Sequence, residues 1–306
     1  MRRTLVKAFG AMLFAVVVLV GCQTVRHSGN VPLTAPDPDT LRIATYNVHY
    51  IILNREEGAW SVADWERRKE PLDLAFKDIA ADVIAFQEME SFGGGSISEV
   101  NLTLDWLLSQ NADYAAAAVG DPRSFPSTQP ILYRTARLAV EDQGWFFFSE
   151  TPDVIYSRTF NGSYPAFASW AAFTDLTNGQ SFTVVNVHTD FGSLSNRLQS
   201  AALIAERISP WVAAEETVFV VGDLNARLGD EVVDILKETG LNFAPVEGAT
   251  FHFNRGLNLF AAIDHIASRG AVRLAAPPIV VRQQYNGEWP TDHYPVVADY
   301  AWLSTR

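Results

Sequence analysis

The sequence predicts an α/β fold with helices packed outside two β-sheets. Two observations carry this expectation. Short apolar, β-branched runs alternate with stretches of helical period over most of the chain, without an internal repeat. Polar, chemistry-bearing side chains recur at the ends of those runs, which is where α/β folds gather ligand groups.

Taken in order, residues 41–48 form a β-rich run. Residues 61–80 place Trp65, Leu72, Ala75, Phe76 and Ile79 at helical spacing, and Pro71 is expected to kink that helix or split it in two. Residues 82–86 read as a buried strand and 102–108 as part of a helix. Residues 131–133 and 145–148 look like strands. Residues 169–174 and 182–187 form the arms of a hairpin, turned by Thr177-Asn178-Gly179-Gln180. A helix over 195–208 has Ser195 as its expected cap. A strand at 217–221, a helix at 230–238 and strands at 263–267 and 296–300 complete the set.

The N-terminus reads differently. Arg2, Arg3 and Lys7 precede an apolar stretch to Val20, followed by Leu19-Val20-Gly21-Cys22, so residues 1–21 are expected to be a secretory signal. Cys22 is the sole cysteine of the 306 residues, which excludes an intramolecular disulfide and a thiolate metal cluster. The Leu-Val-Gly-Cys segment resembles the lipobox of bacterial lipoproteins. That resemblance implies a lipidated Cys22 anchored in the cell envelope, and Gln23 after it implies the outer membrane, facing the periplasm or the exterior. Residues 22–40 are then the lipidated Cys and a polar, Pro-rich tether, and 41–306 one α/β domain, expected to be monomeric. Cleavage before Cys22 takes the formal charge from −12 to −15 by removing three cations. An acidic chain lacking Lys/Arg clusters argues against a nucleic-acid coat protein. It leaves a nuclease open, because a bound dication changes the local field.

The strand ends carry the chemistry. Asn47 ends the first strand, Glu88 follows the second, His188 follows Val184-Val185-Asn186-Val187, and Asp223 follows Val218-Phe219-Val220-Val221-Gly222. Asp264 lies within Ala262-Ile263-Asp264-His265-Ile266, and Asp292-His293 precedes Tyr294-Pro295-Val296. Glu88 offers a hard oxygen suited to Mg²⁺ or Mn²⁺, and the Asn47 amide oxygen can share its shell. Asp223 and Asn225, two apart, leave one face of an extended segment: one can hold a water while the other contacts a phosphate oxygen. His188 and His293 suit proton transfer or phosphate contact near neutral pH, and Asp264 is the carboxylate expected to orient His293.

In that order, Thr45-Tyr46-Asn47-Val48-His49, Gln87-Glu88, Asn186-Val187-His188-Thr189-Asp190, Gly222-Asp223-Leu224-Asn225-Ala226, Ile263-Asp264-His265-Ile266 and Thr291-Asp292-His293-Tyr294-Pro295-Val296 resemble the endonuclease/exonuclease/phosphatase superfamily. Phe148-Ser149-Glu150-Thr151-Pro152 and Ala249-Thr250-Phe251-His252 resemble one bacterial and fungal branch of it. The resemblance implies a four-layer α/β/β/α sandwich and a phosphoester hydrolase, a nuclease or a phosphatase. It implies Mg²⁺ or Mn²⁺ at Glu88, with Asn47 nearby and Asp292 approaching the metal. Asp223 would activate or orient the attacking water and Asn225 would contact the phosphate. His188 and His293 would stabilise the transition state or protonate the leaving group. Nucleic acid, phospholipid head groups, sugar phosphates and inositol phosphates are all served by this scaffold.

The sequence departs from the family pattern twice. No carboxylate lies in the few residues, 125–129, before Pro130-Ile131-Leu132-Tyr133 to partner His188, and no Arg lies shortly before Trp170, Arg158 being the nearest candidate. The first departure keeps a catalytically inactive binding lipoprotein as the alternative. A calcineurin-type site is disfavoured, because no Gly-Asn-His-Glu-like segment supplies its further ligands. His49, His252 and His265 read as structural, as do the tryptophans. Residues 285–289 are a loop near the substrate mouth or a plain turn. Gly-rich 91–96 lacks the Lys and Ser/Thr of a phosphate loop.

Overall fold

The computed structural model describes residues 7, 9–10, 12–18, 31–93, 100–162 and 164–303. Cys22, most of the expected signal and residues 94–96 of the Gly-rich segment lie outside them. Among the described residues no helix is long and apolar enough to cross a membrane.

The elements follow one another as β1 (Thr40–Asn47), β2 (Ile51–Ile52), α1 (Val62–Ile79), β3 (Val83–Gln87), β4 (Ser91–Phe92), α2 (Leu102–Gln110), β5 (Tyr114–Ala117), β6 (Ile131–Arg134) and β7 (Leu138–Phe147). Then come β8 (Phe167–Asp175), β9 (Ser181–His188), α3 (Leu194–Ala213), β10 (Thr217–Asp223), α4 (Glu231–Glu238), β11 (Asn242–Phe243), β12 (Asp264–Arg269), β13 (Val272–Leu274), β14 (Ile279–Val280) and β15 (Val296–Trp302). One sheet runs β13-β15-β1-β3-β6-β5, with β14 also on β15; the other runs β11-β12-β10-β9-β8-β7. Both are mixed: β1 pairs in parallel with β3 and antiparallel with β15, while β10 pairs in parallel with β9 and antiparallel with β12.

The two-residue period of a strand explains the layers. Leu41 and Ile43 of β1, Val83 and Ala85 of β3, Phe182 and Val184 of β9, and Phe219 and Val221 of β10 share one buried cluster between the sheets. The alternate residues face outward. Ala44, Tyr46, Ile84 and Phe86 pack on Trp65, Leu72 and Phe76 of α1. Val185, Val187, Val218 and Val220 pack on Ile204 and Ile208 of α3 and Val232, Val233 and Leu236 of α4. The four-layer α/β/β/α sandwich expected from the sequence is the fold observed.

Continuing the inward parity toward one rim replaces apolar side chains by amides. Thr45 Oγ1 donates to Gln87 Oε1 at 3.1 Å, and Gln87 Nε2 donates to Asn186 Oδ1 at 2.7 Å. Asn186 Nδ2 then donates to the Phe86 and Gln129 carbonyls. This buried seam ties the two sheets at the level where the core ends. Each partner is satisfied by the other, which is the condition for burying amides without penalty.

Three local expectations change. The 62–79 helix runs through Pro71 as one element, with Ser61 Oγ capping it by accepting from Asp64 N. Helix α3 starts one residue before Ser195, and its cap is Ser193, whose Oγ accepts from Asn196 N. The 145–148 run is the end of a longer strand that begins at Leu138.

Candidate active site

One more step along the same parity sets out the site. Asn47, His188 and Asp223 are the last residues of β1, β9 and β10, and Glu88 immediately follows β3. Asp264 is the first residue of β12, and Asp292 and His293 lie four and three residues before β15. Those two strands run antiparallel to β10 and β1, so their beginnings reach the rim where the other strands end. The expectation of strand ends was right about the rim and incomplete about direction.

Asn47 Nδ2 donates to Glu88 Oε1 at 3.1 Å and to Asp223 Oδ2 at 3.2 Å, and Asn47 Oδ1 accepts from His49 N at 3.2 Å. His188 Nε2 stands 3.7 Å from Glu88 Oε1 and 3.9 Å from Asp223 Oδ2. These spacings exceed a hydrogen bond and mark one small cluster of facing groups. On its far side His293 Nε2 is 3.8 Å from Asp223 Oδ2, and His293 Nδ1 meets Asp264 Oδ2 at 2.9 Å.

Two backbone features aim these groups. Glu88 takes a left-handed conformation, φ 54°, which turns its carboxylate out of the strand repeat. Gly222 has φ 139°, and a Cβ there would lie 1.9 Å from the Val187 carbonyl oxygen. Only glycine lets β10 approach β9 so closely just before Asp223.

Asn225 departs from the extended segment expected. The chain turns after Asp223, Asn225 has φ 45°, and its N–H donates to Asp223 Oδ1 at 2.8 Å. Its Nδ2 donates to the Thr189 carbonyl at 2.9 Å, so the two side chains do not simply project from one face. Asp292 is half-buried, with its Oδ1 accepting from Thr291 Oγ1 at 3.2 Å; Thr291 Oγ1 also reaches the Asn47 carbonyl.

Burial and neighbouring charge divide the proton affinities. Burial, then the Asp264 carboxylate, pushes Asp223 up to about 6. Burial works against charge on His293, but Asp264 at hydrogen-bond distance, with Asp223 behind it, lifts the imidazole to about 10. Asp264 is buried as well, yet its charged His293 partner holds it below the usual carboxylate range. At neutral pH this arrangement holds a proton on His293 and leaves Asp223 close to titration.

The residues fit a divalent cation. Glu88 and Asp223 present two converging carboxylates, and no Lys or Arg forms an ion pair with Glu88, Asp223, Asp264 or Asp292 among the described residues. Asp264 and Asp223 already face the charged His293, but Glu88 has no such fixed cation, and a hard oxygen donor of that kind is what Mg²⁺ and Mn²⁺ take. Asp223, Asp264 and His293 also place ligand atoms within 4.8 Å of one another. Their geometry suits proton handling better, because His293 Nδ1 is already engaged with Asp264.

Some positioning residues escape a motif search. Arg68 is buried, and its guanidinium donates to the carbonyls of Val48, His49 and Pro290 at 2.9, 3.1 and 3.3 Å. It straps the segment after Asn47 to the one before Asp292. The signal was present: Arg68 stands between Trp65 and Leu72 on the apolar stripe of its helix. Thr250 Oγ1 accepts from the N–H groups of Ile263 and Asp264. His252 packs between Trp289 and Tyr294, and His265 Nε2 meets the Ala226 carbonyl, both as expected of structural histidines. The 285–289 segment is a turn closed by Tyr285 and Glu288, with Trp289 packed on His252. Arg158 is exposed.

The sequence pattern of the Endonuclease/Exonuclease/phosphatase family matches residues 44–293. Among curated proteins nothing matches. Solved structures do. An endonuclease/exonuclease/phosphatase family protein from Bacteroides thetaiotaomicron is 22% identical over 88% of this chain and 100% of its own, with a TM-score of 0.73. A mannosyl-6-phosphatase from the same organism is 22% identical over 86% and 100%, with a TM-score of 0.72. The catalytic domain of human Nocturnin, with bound sulfate, is 16% identical over 90% and 97%, with a TM-score of 0.61. At these identities the structures establish likeness of fold.

Proposed function

Because the chain belongs to the endonuclease/exonuclease/phosphatase family, we propose that its rim site hydrolyses phosphoesters with a divalent cation, outside the cytoplasm. The class itself, phosphoester hydrolase, follows from membership; the metal's identity, the residue roles and the location are what is proposed. One observation carries the reading: Asn47, Glu88, His188 and Asp223 meet within 4 Å contacts beside the His293–Asp264 pair.

In this reading Glu88 holds Mg²⁺ or Mn²⁺, with Asp292 nearby, and Asn47 stands beside the ion with its Nδ2 donating to Glu88 and Asp223; its amide oxygen, which accepts from His49 N, would have to turn inward to join the shell. The ion, when bound, supplies Lewis acidity at a phosphoryl oxygen. Asp223, at the edge of titration, orients a water and accepts its proton. His293, kept charged by Asp264, faces the negative charge that develops on the phosphoryl oxygens or protonates the leaving oxygen. His188 lies across from it and contacts the same phosphoryl group. Asn225 holds the 189 and 223 segments together and presents its amide to the phosphate.

Location rests on Leu19-Val20-Gly21-Cys22, whose lipobox pattern supports cleavage before Cys22, acylation there, and a tether to residue 40. Mass spectrometry of membrane-extracted protein tests this; an unmodified Cys22 with residues 1–21 retained rules it out.

The hydrolase reading is tested with the full-length chain in detergent. Plasmid DNA, RNA, bis-p-nitrophenyl phosphate and p-nitrophenyl phosphate are compared in Mg²⁺, Mn²⁺ and EDTA, with Asp223→Ala as control. Cleavage that requires metal and Asp223 supports it. Cleavage unchanged in EDTA or in the variant overturns it.

A further inference from the structure

Gln129 is held over the rim ends of β8 and β9. Its backbone carbonyl accepts from Ser169 Oγ at 2.6 Å and from Asn186 Nδ2 at 3.1 Å, and those two residues face each other in the β8–β9 register. Its side chain reaches further toward the rim. Gln129 Nε2 donates to the Phe167 carbonyl at 2.6 Å, and because Ala168 pairs with Val187, Phe167 comes level with His188. A strand alternates faces with each residue, so His188 leaves β9 on the same face as Asn186. The Gln129 amide is therefore placed beside the His188 side chain.

One atom of that amide lacks a bond. Gln129 is 4% exposed, and its buried Oε1 has no hydrogen-bond partner among the described residues. The Phe167 carbonyl requires a donor, so the amide nitrogen faces it and the free acceptor is the oxygen. Thr45, Gln87 and Asn186, at the same inter-sheet level, are all bonded, which leaves this oxygen as the exception that calls for a partner. His188 has the complementary gap. Its Nε2 stands 3.7 Å from Glu88 Oε1 and 3.9 Å from Asp223 Oδ2, while among the described residues nothing bonds its Nδ1. An imidazole held at neither nitrogen can turn or change tautomer, and a bond at one nitrogen fixes what the other presents.

We infer that Gln129 is the positioning residue of His188, its buried Oε1 accepting from Nδ1–H and so keeping Nε2 turned toward Glu88, Asp223 and the phosphoryl group. The inference rests on the reading above for what Nε2 meets. In this structure the bond is open, and contacts of this kind commonly close only when the site is filled. The two rim histidines are then held by different chemistry. Asp264 orients His293 with a charge, whereas Gln129 orients His188 with a neutral oxygen that is itself fixed by the Phe167 carbonyl.

The test reads the imidazole directly and turnover separately. Two-bond ¹H–¹⁵N spectra of the full-length chain in detergent, labelled at histidine, are recorded in Mg²⁺ with inorganic phosphate, and His188→Gln identifies the signal. The expected result is a proton on Nδ1 of His188, which Gln129→Met shifts to Nε2 or averages over both nitrogens. On the best substrate of the panel Gln129→Met should lower kcat by about 10–100-fold with KM within about twofold. Gln129→Glu, which restores an acceptor, should bring kcat back to within about threefold. Should Gln129→Met melt early, Gln129→Asn, an amide too short to reach His188, carries both measurements. A bare Nδ1 before substitution, a His188 signal unmoved by the replacement, an unchanged kcat, or no recovery in Gln129→Glu would each overturn the inference. A signal that moves as expected in a chain that hydrolyses nothing would instead sink the hydrolase reading and leave the pairing standing.

Discussion

His293 and Asp264 face each other at 2.9 Å across the sandwich, Asp264 opening β12 of one sheet and His293 preceding β15 of the other. Their contact is therefore both a proton-holding pair and a bridge between sheets. Asp264→Asn keeps the shape but removes the charge that fixes the imidazole. The expected outcome is a fall in kcat of about 10²–10⁴ with little change in KM, as for other orienting carboxylates. Steady-state kinetics on the best substrate of the panel checks it, and an unchanged kcat rules the pairing out of the chemistry.

The pH profile should follow the two shifted groups. Asp223 must be ionised to accept a proton, so kcat/KM should fall as pH drops through about 6. His293 must stay charged, so the basic limb should begin only toward about 10. Asp264→Asn removes the main group that raises His293, and the basic limb should then move down. A profile without an acid limb would exclude Asp223 as the base.

Much of this site was legible in the sequence because strand parity and polar strand ends are local signals. Asn47, Glu88, His188 and Asp223 follow apolar β-runs, and the two-residue period already assigns three of them to the inter-sheet face. Asn225 does not follow the extended path its spacing from Asp223 suggests, because the left-handed turn there depends on hydrogen bonds to Asp223 and Thr189, one of them 36 residues away. Of the kink or split expected at Pro71, the split does not occur: the flanking turns pack Trp65, Leu72 and Phe76 onto the sheet, and tertiary burial outweighs one lost backbone bond. Arg68 hid because its partners are carbonyl groups, which no side-chain pattern reveals. The ring contacts that run from Arg227 through Phe260, Phe253 and Phe251 to His293 become visible only once the loop between Thr250 and Asp264 is folded back.

Asp223 should cost the fold what it contributes to chemistry. Its folded pKa of about 6 lies above the unfolded carboxylate value, so folding favours the protonated form. That stability is present below about pH 4 and lost as pH rises through about 6. Asp223→Asn should therefore abolish turnover while stabilising the metal-free protein at pH 8 by about 1–3 kcal/mol, with a smaller gain at pH 5. Urea unfolding in EDTA at both pH values measures it; equal effects would refute the linkage.

Arg68 separates charge from shape. Arg68→Met leaves three carbonyl groups without their donor and Asp64 without its buried partner, so a loss of about 3 kcal/mol or more is expected. Arg68→Lys keeps the cation but cannot span all three carbonyls, and a folded protein with kcat down about tenfold should result. Melting curves beside kinetics distinguish the two outcomes.

Gly222→Ala should not yield stable protein. The added carbon would lie inside the Val187 carbonyl, backbone against backbone, at a φ of 139° that alanine avoids. A loss of about 3 kcal/mol or more is expected, read by solubility and circular dichroism.

The Thr45–Gln87–Asn186 seam has a mechanical consequence. An apolar interface between sheets resists separation but tolerates sliding, since one methyl can replace another with little change in energy. Amide pairs admit one register, and here that register aligns β1 and β3 of one sheet with β9 of the other just below Asn47, Glu88 and His188. A slip of one residue would break the chain of bonds and part the reacting groups together. Catalytic competence is thus a property of the closed pair of sheets, and neither sheet alone holds a partial version of it.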